Sequence, residues 1–227
     1  MAGFFLPMLE HTITKDGSST LISTDFNTSY HSLHGAIQES LHVFIKNGLE
    51  YAPKNIPIRV FELGFGTGAN AWLSLEYANR NNIRVDYSTI EKFIVPSQIV
   101  SVLNYPEVFR FENGNSYFSK IHEIDWNKEQ KISNWFSLNK IQGDWMKFNS
   151  MEQYDVFYFD AFGPTTQSEM WNEDSLKKVY SMLSEKGILV TFCAQGEFRR
   201  TLKSVGFQVE KLPGAPGKRE MTRATKI

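Results

Sequence analysis

The sequence predicts an α/β domain built on a mostly parallel, Rossmann-like sheet. Apolar strand-like segments alternate with helix-like segments from Ile58 onward, a glycine-rich turn follows the first of these strands, and acidic residues stand where successive strands end. Such alternation is typical of a parallel sheet covered by helices. With 227 residues, of which 41% are hydrophobic, the chain is long enough for one such domain and a small extension.

Residues 1–57 are predicted to form an N-terminal extension that packs on a main domain at residues 58–227. Apolar and polar positions alternate over residues 12–27, which predicts a small β-hairpin. Residues 34–49 carry apolar side chains at helical spacing, and Gly48 is predicted to end that helix.

The first half of the main domain is predicted as strand, helix, strand and helix. An apolar run ends at the glycine-rich turn, residues 70–80 have a helical pattern, and residues 84–91 (RVDYSTIE) form a strand that ends in an acid. Residues 95–103 are again predicted to be helical. We place the polar and aromatic stretch at residues 104–134 as an insertion.

The second half contains the most apolar strand, residues 154–159 (YDVFYF), whose continuous β-branched and aromatic run predicts burial on both faces. A strand at residues 135–141 precedes it. Gly187 is predicted to end the following helix, residues 172–183, before a strand at residues 188–193. The remaining predicted elements are a helix at residues 201–205 and strands at residues 206–212 and 221–227, which add one antiparallel strand to the sheet.

The glycine-rich turn (VFELGFGTGAN) is the first candidate binding feature. Gly64, Gly66 and Gly68 let the backbone turn sharply and bring its amides close to a ligand. The spacing differs from the dinucleotide pattern, and the carboxylate of Glu62 would repel a pyrophosphate but attract a cationic amino-acid tail. S-adenosylmethionine carries such a tail, so these four residues are predicted to bind it. A tight structural turn is the alternative reading, whereas a nicotinamide oxidoreductase is disfavoured.

Acids at three further strand ends support a cofactor site. In an open α/β sheet the ligand lies outside the carboxyl ends of the strands, where the strand order reverses. Glu91, which stands 23 residues after Gly68, is predicted to bind the ribose hydroxyls. Asp144 is predicted to bind the adenine amino group, and Trp145 to pack on its ring. Helix capping and surface ion pairs are the separate structural alternatives.

Asp160, at the end of the most apolar strand, is the candidate catalytic residue. Methyl transfer from a sulfonium to an amine requires a neutral, oriented nucleophile and the exclusion of water. A carboxylate beside the cofactor can orient the amine and help its proton leave. Phe162 offers a face for a planar base or a cation, although core packing explains an aromatic residue there equally well.

The composition of the chain also bears on disulfides, metal sites, membrane segments and the cellular compartment. The single cysteine, Cys193, excludes an internal disulfide and favours a reducing compartment, so we expect a cytoplasmic protein. His31 and His34 lack a third ligand nearby, and no metal site is predicted. The start of the chain does not read as a secretory signal, and no apolar stretch approaches the ~18 residues of a membrane span. We therefore expect a soluble protein with no membrane partner.

The charge is uneven along the chain. The net charge is −1, yet residues 199–227 carry eight Lys or Arg against Glu210 and Glu220. A basic end on an otherwise acidic protein can attract a polyanion locally. A solvated helix face and a charge-protected edge strand explain the same pattern.

Several strings together resemble a known family: FELGFGTGAN, IEKF, GDW, FYFDAFGPTTQSEMW, AQGEFRRTLKSVGF and GAPGKREMTRA. Over about residues 12–223 the chain is similar to the methyltransferase half of MnmC-type tRNA wobble-uridine modification enzymes, including stand-alone MnmD-like forms. The resemblance implies a class I S-adenosylmethionine-dependent methyltransferase fold. It also implies N-methylation of 5-aminomethyl-2-thiouridine at the tRNA wobble position, giving the 5-methylaminomethyl form.

The resemblance also implies roles for individual residues. Cofactor contacts fall on Gly64, Gly66, Gly68, Glu91 and Asp144, and the amine faces Asp160 and Phe162. With that substrate, Lys218, Arg219 and Arg223 are predicted to hold anticodon phosphates, and Phe162, Trp171 or Tyr30 to stack on the wobble base. The bifunctional relatives add an FAD-dependent oxidase. We expect no FAD site in this chain, and a separate enzyme that supplies the aminomethyl uridine.

Three alternative functions stay open at this point. Aminopropyl transfer, as in spermidine synthases, also uses an acid after the fourth strand, but a basic chain end would oppose a polyamine substrate. Methylation of a small-molecule amine uses the same groups. A non-catalytic RNA-binding or cofactor-binding module is disfavoured because all the expected acids and glycines are present.

Overall fold

The computed structural model describes residues 8–52 and 56–227. Residues 1–7 and 53–55 of the predicted N-terminal extension lie outside that description. The predicted hairpin is a three-stranded antiparallel sheet, with the order β1-β2-β3. Its strands are β1 (Leu9–Ile13), β2 (Ser19–Ser23) and β3 (Thr28–Ser29).

The main sheet has eight strands. They are β4 (Ile58–Leu63), β5 (Val85–Glu91), β6 (Glu129–Lys131), β7 (Phe136–Gln142), β8 (Tyr154–Phe159), β9 (Leu183–Thr191), β10 (Phe207–Pro213) and β11 (Glu220–Lys226). Their order is β10-β11-β9-β8-β4-β5-β7-β6. The five central strands are parallel, and β6, β10 and β11 pair antiparallel with their neighbours. The predicted α/β class is confirmed, with three antiparallel pairings at the edges.

Helices cover both faces of this sheet. They are α1 (Ala36–Ser40), which continues as a π-helical segment (Leu41–Leu49), α2 (Ala69–Asn81), α3 (Ser97–Val100), α4 (Tyr105–Val108), α5 (Gly114–Glu123), α6 (Glu173–Met182) and α7 (Gly196–Val205). A single 3₁₀ turn covers Ser168–Trp171. Among the residues described, no helix has the length and apolar character needed to span a bilayer.

Strand β8 divides the core into two layers because its side chains alternate between the faces. Val156 and Tyr158 pack with Trp72 and Phe44 under α2 and the π-helical segment. Phe157 and Phe159 belong to the other layer, with Trp145, Trp171 and Leu176. Every residue of β8 is buried, as its continuous apolar pattern predicts.

Several predicted boundaries were wrong; the helix predicted at residues 201–205, for example, begins at Gly196. Gly48 lies within the helix, where a Cβ atom would come within 3.0 Å of Val190 and 3.1 Å of Tyr158, so close packing on the sheet explains it. Gly187 lies inside β9, beside a register shift in its pairing with β8. There a Cβ would lie 2.8 Å from the Ser184 carbonyl oxygen. Only Ser97–Val100 of the third predicted helix is α-helical.

The insertion is an ordered part of the main domain. It contains α4, α5 and β6, and β6 extends the sheet beyond β7. Trp72 of α2 is fully buried and donates its indole N–H to the carbonyl oxygen of Gly114 at 2.9 Å. This hydrogen bond fixes the start of α5 against the helix that follows the glycine loop.

The strand order reverses between β4 and β8. From β4 the chain proceeds outward to β5 and β7, whereas β8 and β9 lie on the other side of β4. Loops that leave the carboxyl ends of β4 and β8 therefore move apart, and a crevice opens between them.

Candidate active site

A cavity of about 820 Å³, including its open mouth, occupies this crevice. The glycine loop, the ends of β5 and β8, and side chains of the N-terminal extension form its walls. Seven of the residues predicted as site residues line it: Tyr30, Gly64, Gly66, Glu91, Trp145, Asp160 and Phe162.

The glycine loop is shaped by three left-handed positions, Gly64, Gly66 and Gly68. Gly64 has φ +93° and Gly66 has φ +50°, a region that residues with a side chain rarely adopt. A Cβ on Gly64 would lie 3.1 Å from the Asp160 carbonyl oxygen, and a Cβ on Gly66 would lie 3.1 Å from the Tyr30 ring. Gly68 begins α2 on the far side of the loop, against His122 and Phe65, and is not part of the cavity wall.

Glu91 is held at the wall by backbone groups. It accepts hydrogen bonds from the amides of Gly66 at 3.1 Å and Phe93 at 2.7 Å. Burial raises the pKa of Glu91, and these backbone donors act in the opposite direction because they favour its charged form. The glycine loop and the end of β5 are thus joined through this carboxylate.

Asp160 and Glu62 share one hydrogen-bond donor. The side-chain nitrogen of Asn70 donates to Asp160 Oδ2 at 2.8 Å and to Glu62 Oε1 at 3.0 Å. Asp160 and Asn70 line the cavity, whereas Glu62 is 0% exposed and lies behind them. Burial raises the pKa of Glu62 to about 8. The predicted direct contact of Glu62 with a cofactor is therefore corrected: its carboxyl is reached through Asn70.

The end of β7 supplies Asp144 and Trp145. Asp144 pairs with Lys92 at 3.0 Å and accepts a hydrogen bond from the Met146 amide at 2.9 Å, and both interactions hold the pKa of Asp144 low. It stands at the rim beside Gly143 rather than in the wall. Trp145 is 2% exposed, and its indole N–H donates to Ser175 at 2.7 Å. Trp145 therefore lies at the base of the cavity with a fixed ring.

Four aromatic rings, here called the aromatic clasp, meet across the cavity mouth. They are Phe26 and Tyr30 from the N-terminal extension, Phe93 after β5 and Phe162 after β8. The Phe162 ring centroid lies 5.5 Å from that of Phe26 and 5.0 Å from that of Tyr30. Phe26 also contacts Phe93, with centroids 6.1 Å apart. The clasp thus joins the N-terminal extension to the loops that follow β5 and β8.

His31 lies beside the clasp as a neutral, buried ring. Its two nitrogens lie 3.2 Å from the Thr20 hydroxyl and 3.4 Å from the Thr67 hydroxyl. Burial lowers the pKa of His31 to about 4. No cluster of metal-ligating side chains occurs within residues 8–52 and 56–227. His31 connects the N-terminal extension to the glycine loop.

Two predicted RNA contacts are corrected by their surroundings. The Arg223 side chain is 8% exposed, pairs with Glu210 at 2.8 Å, and lies 3.3 Å above the Tyr51 ring, so it is not free for a phosphate. Trp171 is buried and donates its indole N–H to the Phe162 carbonyl oxygen at 2.7 Å. It supports the Phe162 loop from behind and cannot stack on a base in the cavity.

The remaining predicted cations, Lys218 and Arg219, line a separate groove and differ in whether they are paired. Lys218 forms an ion pair with Glu39 of α1, and its ammonium lies 4.4 Å from the Phe192 ring centroid. Arg219 is exposed beside a shallow groove that Phe192 and Ala194 also line. Lys218 therefore links the β10–β11 loop to the N-terminal extension, and Arg219 faces solvent.

Sequence reasoning missed several residues of the wall. Asn70 stands directly after the glycines, and an amide at the start of a helix that faces two strand-end acids was a usable signal. Gln167 accepts a hydrogen bond from the Phe162 amide at 3.0 Å. Phe26 and Phe93 gave no signal, because only the tertiary fold brings the extension over the sheet.

Comparisons with known proteins identify the class of enzyme. A family model described as S-adenosyl-L-methionine-dependent methyltransferase matches residues 116–227. The crystal structure of MnmC2 from Aquifex aeolicus has a TM-score of 0.76 and 27% identity, over 96% of this chain and 70% of that one. Together with the sheet order and the glycine-loop cavity, these matches make the protein an S-adenosylmethionine-dependent methyltransferase.

Similar curated proteins point to a more specific type of methyltransferase. The tRNA 5-methylaminomethyl-2-thiouridine biosynthesis bifunctional protein MnmC of Idiomarina loihiensis is 28% identical over 88% of this chain and 36% of its own length. An uncharacterised protein of Methanocaldococcus jannaschii is 29% identical over 96% of this chain and 60% of its own length. The chain is similar to the methyltransferase part of MnmC proteins, and it spans only part of the length of these two relatives.

The cavity fits S-adenosylmethionine, the cofactor of this class. Side chains at positions 64 and 66 would fill the space beside the loop, so the glycines keep its surface open. Glu91 and Asp160 lie in the wall and Glu62 lies behind it. Such an excess of carboxyl groups favours a ligand that carries a sulfonium and an ammonium.

The shifted pKa of Glu62 predicts a pH-dependent effect of Glu62→Gln on stability. Between its ordinary pKa of 4.5 and about 8 in the folded protein, Glu62 ionises only in the unfolded chain, so the wild type loses stability as pH rises through this window. The glutamine amide of the variant does not ionise. We therefore compare the melting temperature of the variant minus that of the wild type at two pH values. This difference should be about 2–4 °C or more higher at pH 8 than at pH 5.

Thermal unfolding at the two pH values measures this difference. Glu123→Gln, on the exposed face of α5, is the control and should show no such change. A constant difference between Glu62→Gln and wild type would contradict the neutral form of Glu62.

Gly66→Val is expected to abolish cofactor binding. The φ of +50° is strained for a β-branched residue, and the new side chain meets the Tyr30 ring. Calorimetry should show an affinity for S-adenosylmethionine at least about 100-fold weaker, a change expected from a distorted loop. Gly163→Ala, with nothing within 4 Å of the added Cβ, is the control and should bind normally.

Proposed function

We propose that the protein uses S-adenosylmethionine to methylate the aminomethyl group of 5-aminomethyl-2-thiouridine at the tRNA wobble position. The observation that carries the proposal is the position of Asp160, a half-buried carboxyl in the cavity wall next to Phe162 of the aromatic clasp. An acid of this kind suits an amine, and the rings suit a planar base. The similarity to MnmC proteins supports the same choice.

In this proposal the cofactor contacts come from three strand ends. Backbone amides of the glycine loop face the amino-acid part, with Gly68 acting only through the loop conformation. Glu91 binds the ribose hydroxyls, and Trp145 and the rim carboxylate of Asp144 bind the adenine. Bound there, the cofactor would supply a methyl group: the lone pair of the neutral amine forms the new C–N bond, the C–S electrons stay on sulfur, and the product is a methylated ammonium.

The protein's own groups prepare the amine. Asp160 accepts hydrogen bonds from it and takes its proton, which leaves the lone pair free. Phe162 and Tyr30 stack on the uracil ring, and the aromatic clasp excludes water from the reacting atoms. The reaction involves no FAD, and it requires a uridine that already carries the aminomethyl group. A separate activity must therefore supply that group, and a tRNA substrate places the reaction in the cytoplasm.

The RNA contact is proposed on the β10–β11 side of the mouth. Arg219 is exposed there, and Lys218 stands next to it in its ion pair with Glu39. Cations at this edge favour the phosphates of an anticodon loop and oppose a polyamine. This charge favours tRNA methylation over aminopropyl transfer.

Mass spectrometry of tRNA nucleosides tests the reaction. Incubation with S-adenosylmethionine and tRNA that carries the aminomethyl group should add one methyl to the wobble nucleoside. Asp160→Asn should lower the rate by about 10²–10⁴-fold, the usual contribution of a general base, while cofactor affinity should fall far less, because only one of the carboxyl groups around the cavity is lost. Asp174→Asn on the exposed start of α6 is the control. Wild-type protein that adds no methyl to this tRNA would disprove the proposed function.

A charge reversal tests the RNA surface. Arg219→Glu should weaken tRNA binding and reduce the slope of log Kd against log salt by about 1, because one phosphate contact is lost. Lys128→Glu makes the same charge change near the opposite edge of the sheet, and should leave the slope unchanged. Equal slopes for Arg219→Glu and wild type would remove Arg219 from the RNA surface.

A further inference from the structure

A carboxyl–amide–carboxyl array lies under the cavity wall. Asp160 follows β8, Glu62 lies in β4, and Asn70 in the first turn of α2 stands between them. One nitrogen, Nδ2 of Asn70, lies 2.8 Å from Asp160 Oδ2 and 3.0 Å from Glu62 Oε1. Since an amide nitrogen carries two hydrogens, each carboxyl receives one of them.

Asn70 and Glu62 are buried, Asp160 is half-buried, and the array is not neutralised. Asn70 is 3% exposed and Glu62 is 0% exposed. The side chains of Tyr87 and Thr89 lie beside the Glu62 carboxyl and act to lower its pKa, against the larger effect of burial. No basic side chain among the described residues forms an ion pair with Asp160 or Glu62.

The charged surroundings of Asp160 are mostly acidic. Burial, then the charge of Glu62 and then that of Glu39 raise its pKa, whereas the Asn70 hydrogen bond and Lys218 lower it. The other titratable groups that face it or line the same cavity are Tyr30, His31, Tyr87, Glu91 and Lys92. Asn70 is therefore the hydrogen-bonding partner of the Asp160 side chain, and its amide is neutral.

We propose that Asn70 is a positioning residue for the methyl transfer, which holds Asp160 Oδ2 and couples it to Glu62, so that Asp160 Oδ1 is left to take the amine proton. No described residue donates a hydrogen bond to Oδ1, and Asp160 lines the cavity. The inference rests on the proposed function for the identity of the amine.

A neutral donor suits this task better than a cation. A lysine or arginine at position 70 would neutralise Asp160 and leave it a weak base. The amide orients the carboxylate at little cost to its basicity, while Glu62 behind it disfavours a second negative charge. An ammonium that enters the cavity then passes one proton to Asp160 and becomes a neutral amine, and the charge of the pair of groups is conserved.

Two isosteric substitutions shift the proton equilibrium in opposite directions. Asn70→Leu removes a hydrogen bond that favours ionised Asp160, so the acid limb of the kcat profile should move to higher pH by about one unit. Glu62→Gln removes the neighbouring acid, so that limb should move to lower pH by a similar shift. The new glutamine side chain keeps an oxygen toward Asn70 and places its amide hydrogens toward the Tyr87 and Thr89 hydroxyls.

The magnitude of the loss follows from the same argument. At pH 7 we expect kcat of Asn70→Leu to fall at least about tenfold, with KM for tRNA changed less than about threefold, since the amine and not the RNA surface is affected. Higher pH should restore part of this loss. Ser74→Ala is the matched control: it removes a buried hydroxyl one turn further along α2, which bonds to Tyr158 and not to the array.

Cofactor binding gives a second measurement that needs no methyl acceptor. Because S-adenosylmethionine is cationic, its affinity measured by calorimetry should rise as the array ionises, with a midpoint that moves up in Asn70→Leu and down in Glu62→Gln. Opposite shifts in both measurements support the inference.

Three outcomes separate the two proposals. Midpoints that match wild type in both variants, despite reduced activity, would show that Asn70 is only structural and would overturn the inference. Shifts of equal sign in the two variants would overturn it as well. If wild type methylates no aminomethyl uridine, the proposed function fails, and the binding midpoints still decide whether Asn70 sets the ionisation of Asp160.

Discussion

The close approach of the β4 and β8 ends is the constraint on which the site depends. The Asp160 amide donates to the Leu63 carbonyl oxygen at 3.2 Å, and a Cβ on Gly64 would lie 3.1 Å from the Asp160 carbonyl oxygen. This spacing leaves room for glycine alone at position 64. It also brings the side chain of Asp160 to the first turn of α2, where Asn70 meets it. The cofactor loop and the proposed base are therefore positioned by one backbone contact.

Charge is distributed so that the cavity and its surroundings favour different ligands. Acids line or underlie the cavity, and two of the nearest cations are already paired, Lys92 with Asp144 and Lys218 with Glu39. The interior thus keeps a surplus of carboxyl groups for a sulfonium and an amine. Arg219 stays exposed outside the mouth. A basic chain end and an acidic cavity would oppose each other in binding one small ligand. They are compatible when the cavity binds a cationic cofactor and the chain end binds an RNA.

The parallel sheet and the strand-end residues were predicted well. Buried strands, glycine turns and terminal acids can each be recognised from a short run of consecutive residues. The predictions that were wrong depend on contacts that form only in the tertiary structure. Gly48 and Gly187 read as helix ends, yet close packing and a strand irregularity require them. Arg223 read as a free cation, but Glu210 stands opposite it in the β10–β11 register. Phe26 gave no signal, since its partners Phe93 and Phe162 lie far along the chain.

The N-terminal extension is part of the active site rather than an appendage. Tyr30 contacts the position where a Gly66 side chain would be, His31 lies 3.4 Å from the Thr67 hydroxyl, and Phe26 closes the aromatic clasp. The Glu39–Lys218 pair then joins the extension to the β10–β11 loop, beside Arg219. The same extension therefore contacts the glycine loop, contributes two rings to the clasp, and contacts the β10–β11 loop. A boundary near residue 57 therefore separates two patterns in the sequence, but residues from both sides of it form one site.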